Sequence, residues 1–197
     1  LNYYHKNIIF KYYYIRLHSF QSFFICNSYS ARKNLIETEF VSKDKILVID
    51  NFIKINNSRN KKIKKSKKFK ILCISNLYIY KGHLLLLKSL SLIKNIPWEL
   101  YLMGEARDLK RKDLKRTSVN LGISKRIKYI KKINQNFAYP NFSLGIILSK
   151  TESFPNAILE YFSLKLPVAA YRVGDIYRLV NYKNGKILTN RDPKYIS

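Results

Sequence analysis

The sequence predicts an α/β fold, a parallel sheet with helices on both faces, from Phe69 onward. Two observations carry this. Short apolar runs alternate with helical patterns, and the runs Lys70–Ser75 (KILCIS), Trp98–Met103 (WELYLM) and Leu144–Leu148 (LGIIL) are nearly continuous in apolar residues. Continuous apolar runs are the pattern of strands covered on both sides, and strand–helix alternation is the pattern of parallel crossovers.

Taken in order, Leu1 to Leu17 mixes Tyr, Lys and Ile as a basic amphipathic helix does. Two readings stand: packing on a further domain, which is preferred, or lying on an anionic membrane face. Ser22 to Cys26 (SFFIC) reads as a buried strand, and Asn27-Ser28 caps a helix over Ala31 to Glu37. Ile46 to Ile49 is a second buried strand, closed by Asp50-Asn51. Asn56 to Lys68 is polar, cationic and without an apolar face, and reads as a linker. The organisation predicted is 1–55, then linker 56–68, then a domain over 69–197. In that domain the strand at Lys70 is followed by a buried helix, Gly82 to Ile93 (GHLLLLKSLSLI). Trp98–Met103 ends at Gly104, and a basic helix over Leu109 to Leu121 ends at Gly122. Strands follow at Arg126–Ile130 and Leu144–Leu148, then a helix from Asn156 to Leu164, with Ile158, Leu159 and Phe162 toward the core. Pro167 stops it, a strand starts at Val168, a short helix spans Ile176 to Val180, and Lys186–Leu188 is the last strand. Ligands of such sheets bind beyond the carboxyl ends of the strands. That selects the loops Asn76–Lys81, Gly104–Asp108, Ser149–Asn156 and Arg172–Asp175.

Composition narrows the function classes. Thirty-eight Lys and Arg against 12 Asp and Glu give a formal charge of +26. Such charge draws nucleic acid or anionic lipid, but Lys, Ile, Asn, Tyr and Phe are enriched throughout rather than in one patch, and all have AT-rich codons. The compositional reading is preferred, and no nucleic-acid partner is expected. The chain starts at Leu1, as a fragment would. No apolar run reaches the ~18 residues that span a bilayer. Cys26 and Cys73 are too few and too far apart for a disulfide framework or zinc site, which fits a reducing cytoplasm.

The chemistry concentrates in Thr151–Pro167 (TESFPNAILEYFSLKLP). Pro155 suits a first helical turn, so Glu152 falls in the loop before the helix and Glu160 on its second turn. A helix start offers free N–H groups to a phosphate, and a carboxylate on each side can hold sugar hydroxyls. On spacing alone, two solvated acids on a surface helix is the simpler reading. Lys81, between a strand and Gly82, is placed to reach a phosphate at the sheet edge.

The ordered set of pieces ILCISNLYIYKG, ELYLMGEARD, LGISKRIKYI, LSKTESFPNAILEYFSLKLPVAAYRVGDIYRLV and NGKIL resembles the nucleotide-sugar-binding domain of family-4, group 1 glycosyltransferases of the GT-B fold. Two glutamates separated by seven residues are that family's signature. FICNSYSARKNLI and KILVIDNF resemble the end of its first domain and the crossing into the second. The resemblance covers about residues 22 to 192. It implies a Rossmann-like domain with the amino-terminal acceptor domain largely missing. It implies a transfer, with retention, from a nucleotide-diphosphate sugar to a glycan or lipid-linked acceptor, with no metal or other cofactor. Peripheral contact with the inner face of a membrane is compatible with it. Lys81 would pair with the donor diphosphate and Glu152 with hydroxyls of the transferred sugar, these two forming the catalytic pair. Glu160 would bind the ribose. Asn156 and the N–H groups of Ala157, Ile158 and Leu159 would cradle the phosphates, and Asn51 would have a structural role in the crossing.

The sequence departs from the family at four places. Asn76 stands where the family has an arginine, GEAR (104–107) where Gly-Asp-Gly-Pro is common, Lys165 for the glycine before Leu-Pro, and Asp175 for a second glycine. Arg107 is a candidate replacement cation. Two alternatives stay open: a non-catalytic nucleotide-sugar-binding remnant, and a basic polyanion-binding protein.

Overall fold

The computed structural model describes residues 23–54, 68–130 and 142–197. The expected helix at 1–17 and the expected linker at 56–68, apart from Lys68, lie outside those residues. Among them, six parallel strands form one sheet: β3 (Phe69–Ile74), β4 (Trp98–Met103), β5 (Ile127–Ile130), β6 (Leu144–Ile147), β7 (Val168–Tyr171) and β8 (Gly185–Leu188), in the order β5-β4-β3-β6-β7-β8. A separate parallel pair, β1 (Phe24–Cys26) with β2 (Ile46–Val48), precedes it. The helices are α1 (Tyr29–Thr38), α2 (His83–Ser91), α3 (Arg111–Asn120), α4 (Asn156–Ser163), α5 (Ile176–Leu179) and α6 (Pro193–Ile196). No helix among the described residues is long and apolar enough to cross a membrane.

The apolar runs are explained by cover on both faces. Alternate residues of β3 enter opposite cores: Ile71 and Cys73 join Leu86, Leu90 and Trp98 on one side, and Leu72 joins Ile158, Tyr161 and Ile176 on the other. The first core holds the α2 and α3 side, the second the α4 and α5 side. His83, at the start of α2, is 1% exposed, with no hydrogen-bond partner at either ring nitrogen. Burial pushes its pKa down to about 4 from 6.5. The folded state therefore resists a proton that the unfolded chain accepts. Stability is full above the unfolded value and falls as pH drops from 6.5 toward 4, by about 3 kcal/mol in all. Chemical denaturation at pH 7 and pH 4.5 should show this loss, and His83→Gln should flatten most of it.

Several sequence expectations are corrected. The strands at 24–26 and 46–48 are not buried on both sides. Ile25 and Leu47 are cross-strand partners, and both are more than half exposed. A two-stranded sheet touched by α1 has one face left open. In α4 the fully buried residues are Ile158 and Tyr161, whereas Leu159 and Phe162 are only partly buried. The short helix meets the sheet along its 158/161 edge, which turns Leu159 toward the side carrying Glu160. Lys165, where a glycine was expected, has φ +56°, the left-handed conformation that glycine accepts without strain.

The strand order reverses direction between β3 and β6. These two strands pair only at Ile71–Leu144 and Leu72–Gly145, then part. The Tyr161 hydroxyl fills the gap, accepting from the Ile74 amide at 2.8 Å and donating to the Ile146 carbonyl at 3.1 Å. Its ring lies on Gly145, where a Cβ would sit 2.4 Å from Tyr161 Cγ. Diverging strands at a reversal of order open a crevice at their carboxyl ends. The loops after β3 and β6 are the ones that carry Lys81 and Glu152.

Candidate functional site

Lys81 ends a short 3-10 turn, Ile79–Lys81, and Glu152 lies between β6 and α4. Their side chains meet across the crevice, Lys81 Nζ to Glu152 Oε1 at 2.5 Å, with 17% and 12% of the two side chains exposed. The Ser149 hydroxyl donates to the same oxygen at 2.6 Å. Gly82 makes this approach feasible: it has φ +80°, and a Cβ there would lie 2.4 Å from the Leu148 carbonyl oxygen. The Lys150 amide donates to the Tyr80 carbonyl at 2.8 Å, fastening the two loops. The Lys81 ammonium also lies 5.2 Å from the centroid of the Tyr80 ring, which is stacked on Tyr78. The ion pair is well shielded from solvent, so its Coulomb interaction is stronger than on an open surface. An ammonium has three donors, so a ligand oxygen can engage Lys81 while Glu152 keeps acceptor capacity.

Glu160 opens elsewhere. It borders a cavity of about 500 Å³ with Asn156, Leu159, Asp50, Asn51 and Phe52. Burial alone pushes its carboxyl pKa up. Glu152 borders a larger cavity of about 1050 Å³, facing Asn27, Ser30 and Asn34 across it. The two cavities share Ile49. The structure thus brings Lys81 and Glu152 into contact and groups Asn156, Leu159 and Glu160 on an adjoining wall. The start of α4 has no side-chain cap, leaving first-turn N–H groups for an outside acceptor. Two of the amides expected to meet phosphate are engaged within the helix: Ile158 donates to the Pro155 carbonyl at 3.1 Å, and Leu159, four residues past the cap, belongs to the i→i−4 ladder, so Asn156 and Ala157 supply the open N–H groups. The Asn51 side-chain amide donates to Asn156 Oδ1 at 2.6 Å, tying the crossing to α4.

The departures from the family pattern have visible consequences. Asn76 Oδ1 accepts from the Glu105 amide at 3.0 Å, so it joins the loops after β3 and β4. Arg107 pairs with its neighbour Glu105 at 2.8 Å on the surface. Residues that sequence reading did not single out complete the site. Arg191 donates to the carbonyls of Leu148 (3.2 Å) and Ser149 (2.6 Å) and lies 4.0 Å from the centroid of the Tyr171 ring. It braces the loop that carries Ser149 and Glu152. One cation among 38, distant in sequence from its partners, carries no signal of that role. Among the described residues, no group of three or more His, Cys, Asp and Glu is placed to hold a metal ion.

Comparison with known proteins gives a consistent family. The family model for glycosyl transferases group 1 matches residues 68–197. No curated protein matches the sequence. Among solved structures, a glycosyltransferase from Rickettsia africae ESF-5 superposes with a TM-score of 0.81 at 21% identity, over 96% of this chain and 55% of that one. Anabaena Alr3699/HepE in complex with UDP gives 0.76 at 22% identity, over 91% of this chain and 53% of that one. The C-terminal domain of a group 1 family protein (LpcC) from Francisella tularensis gives 0.55 at 23%, over 65% and 71%. These similarities are of fold, and the chain spans about half the length of the first two.

Proposed function

The chain belongs to the glycosyl transferases group 1 family, and on that premise we propose that it is the donor-binding part of a transferase using a nucleoside-diphosphate sugar. The observation that carries this is the contact of Lys81 with Glu152 across the crevice, beside the uncapped start of α4. Departure of the nucleoside diphosphate builds negative charge on its β-phosphate. Lys81 and the positive end of the α4 dipole oppose that charge, which is electrostatic stabilisation of the transition state. Glu152 holds hydroxyls of the transferred sugar, and Glu160 accepts hydrogen bonds from the nucleotide ribose. On the family resemblance we assign retention at the anomeric carbon, a glycan or lipid-linked acceptor, and a mechanism without metal.

The test is calorimetry with a panel of nucleosides and nucleoside diphosphates. Lys81→Ala should weaken the diphosphate by about tenfold or more and the nucleoside far less, because an ammonium–phosphate bond is charge-assisted. Glu160→Ala should weaken both equally, by about 1–3 kcal/mol, the scale of a hydrogen bond to a charged group. Equal losses for nucleoside and diphosphate in Lys81→Ala would remove Lys81 from the site. A second reading, binding without transfer, is favoured by Asn76, which supplies no cation where the family has one and is engaged with Glu105.

A further inference from the structure

We propose that Asp175 and Arg178 are positioning residues: they lock the 23–54 segment onto the nucleotide-binding sheet and so set the gap between the crossing and α4. Asp175 follows Gly174, in the loop after β7, and its side chain is 1% exposed. A carboxylate so buried must be compensated. Its partners are the Tyr29 amide at 2.7 Å, the Ser30 amide at 2.8 Å and Arg178 Nη1 at 2.8 Å. The two amides are the first of α1, almost 150 residues upstream. Ser28, the local cap of α1, takes only the Ala31 amide, at 2.9 Å. A helix start left partly open by its own segment is therefore completed by a negative charge from another part of the fold, the favourable sign for that end of the dipole.

Arg178 extends the contact to the crossing. Its Nη1 and Nη2 each donate to Asp50 at 3.2 Å while Nη1 also serves Asp175. Its guanidinium lies 4.1 Å from the centroid of the Tyr29 ring. One planar cation thus joins α1, the crossing and α5. A forked, stacked arginine in a three-charge network is the geometry in which an ion pair outperforms the ordinary surface pair.

Both arms of the lock end at the candidate site. Asp50 and Asn51 border the cavity that Glu160 also borders, and Asn51 is bonded to Asn156. The Asp175 amide donates to the Ser153 carbonyl at 2.9 Å, next to Glu152. Gly174 lets the loops touch: a Cβ there would lie 2.3 Å from the Glu152 carbonyl oxygen. Releasing the lock lets the crossing move away from α4 and loosens the Glu152 loop. The effect on ligand affinity rests on the donor-binding reading above; the lock itself does not.

The test uses the 197-residue chain with Arg178→Met, Asp50→Asn, both together, and Arg178→Lys. Hydrogen exchange followed by mass spectrometry reads the lock, and calorimetry with UDP reads the positioning. Arg178→Met should speed exchange over 23–38 by about tenfold or more and leave β3 to β8 unchanged, and should weaken UDP by about tenfold. Asp50→Asn changes an exposed side chain, so it reports even if Arg178→Met folds poorly; it should give a smaller loss in the same direction. The double variant should be no worse than Arg178→Met, since both remove one network, and Arg178→Lys should recover part of the loss. Unchanged exchange over 23–38 in Arg178→Met and Asp50→Asn would overturn the lock. Faster exchange with unchanged UDP affinity, or additive losses, would overturn the positioning role. A wild-type chain that binds no nucleoside diphosphate would instead remove the donor reading, and exchange would still decide the lock.

Discussion

The 197-residue chain by itself is expected to bind a nucleoside diphosphate and to transfer no sugar. It spans about half of the Rickettsia and Anabaena proteins whose fold it shares. The residues proposed for the donor, Lys81, Glu152, Glu160 and the start of α4, are all present and sit on the walls described above. What the described residues offer opposite them is small: β1, β2, α1 and the crossing. Transfer needs an acceptor hydroxyl held against the anomeric carbon by a second wall. Fixing two reactants in attack geometry is worth about 7–11 kcal/mol of the barrier, or roughly five to eight powers of ten in rate. Without that wall, turnover falls below ordinary detection while donor binding survives. Radiolabelled donor with a panel of saccharide and lipid-linked acceptors is the measurement. Robust turnover by these residues alone would show that the short amino-terminal segment already orients an acceptor.

Tyr161→Phe is expected to cost about 2–4 kcal/mol of folding stability, which is a large share of the 5–15 kcal/mol of an ordinary domain. The substitution preserves the ring, so the packing on Gly145 and the core around Ile158 should persist. What it removes is the hydroxyl between Ile74 and Ile146, at the place where β3 and β6 no longer pair. An amide and a carbonyl are then left buried without partners, at about 1–3 kcal/mol each. For a domain of this size that is a fall of about 6–12 °C in Tm. A loss under about 0.5 kcal/mol would mean that the two backbone groups find each other or another partner once the hydroxyl is gone, and that the gap between the strands is not rigid.

Much of the fold and part of the site were legible in the residues. The apolar runs of β3, β4 and β6 announced strands covered on both sides, because every side chain of such a strand meets a helix layer. Pro155, Gly122 and Pro167 marked helix ends because proline and glycine act through the local backbone alone. Lys81, Glu152 and Glu160 were legible as candidates through spacing and through likeness to a family, and of these the structure brings Lys81 and Glu152 into contact. Burial at the segment's edges was not legible. SFFIC and ILVI are as apolar as any core strand, yet Ile25 and Leu47 face outward, because cover depends on what else is stacked there.

Local chemistry, then, is what the sequence determined by itself: roughly where strands and helices begin and end, the parallel sense of the sheet that follows from their alternation, and which loops gather at the carboxyl edge. Those are set by interactions within a few residues and by the period of apolar side chains. Contacts between distant residues belonged to the tertiary structure. Asp175 looked like a lost glycine until its carboxylate was found at the start of α1. Arg191 and Arg178 were two cations among 38 until the sheet placed one on the Ser149 carbonyl and the other between two aspartates. Tyr161 lay outside the core face read from its helix, Ile158, Leu159 and Phe162, until the parting of β3 and β6 gave its hydroxyl two backbone partners. Each of these roles depends on direction and distance across more than ten residues of chain, and a linear pattern carries neither.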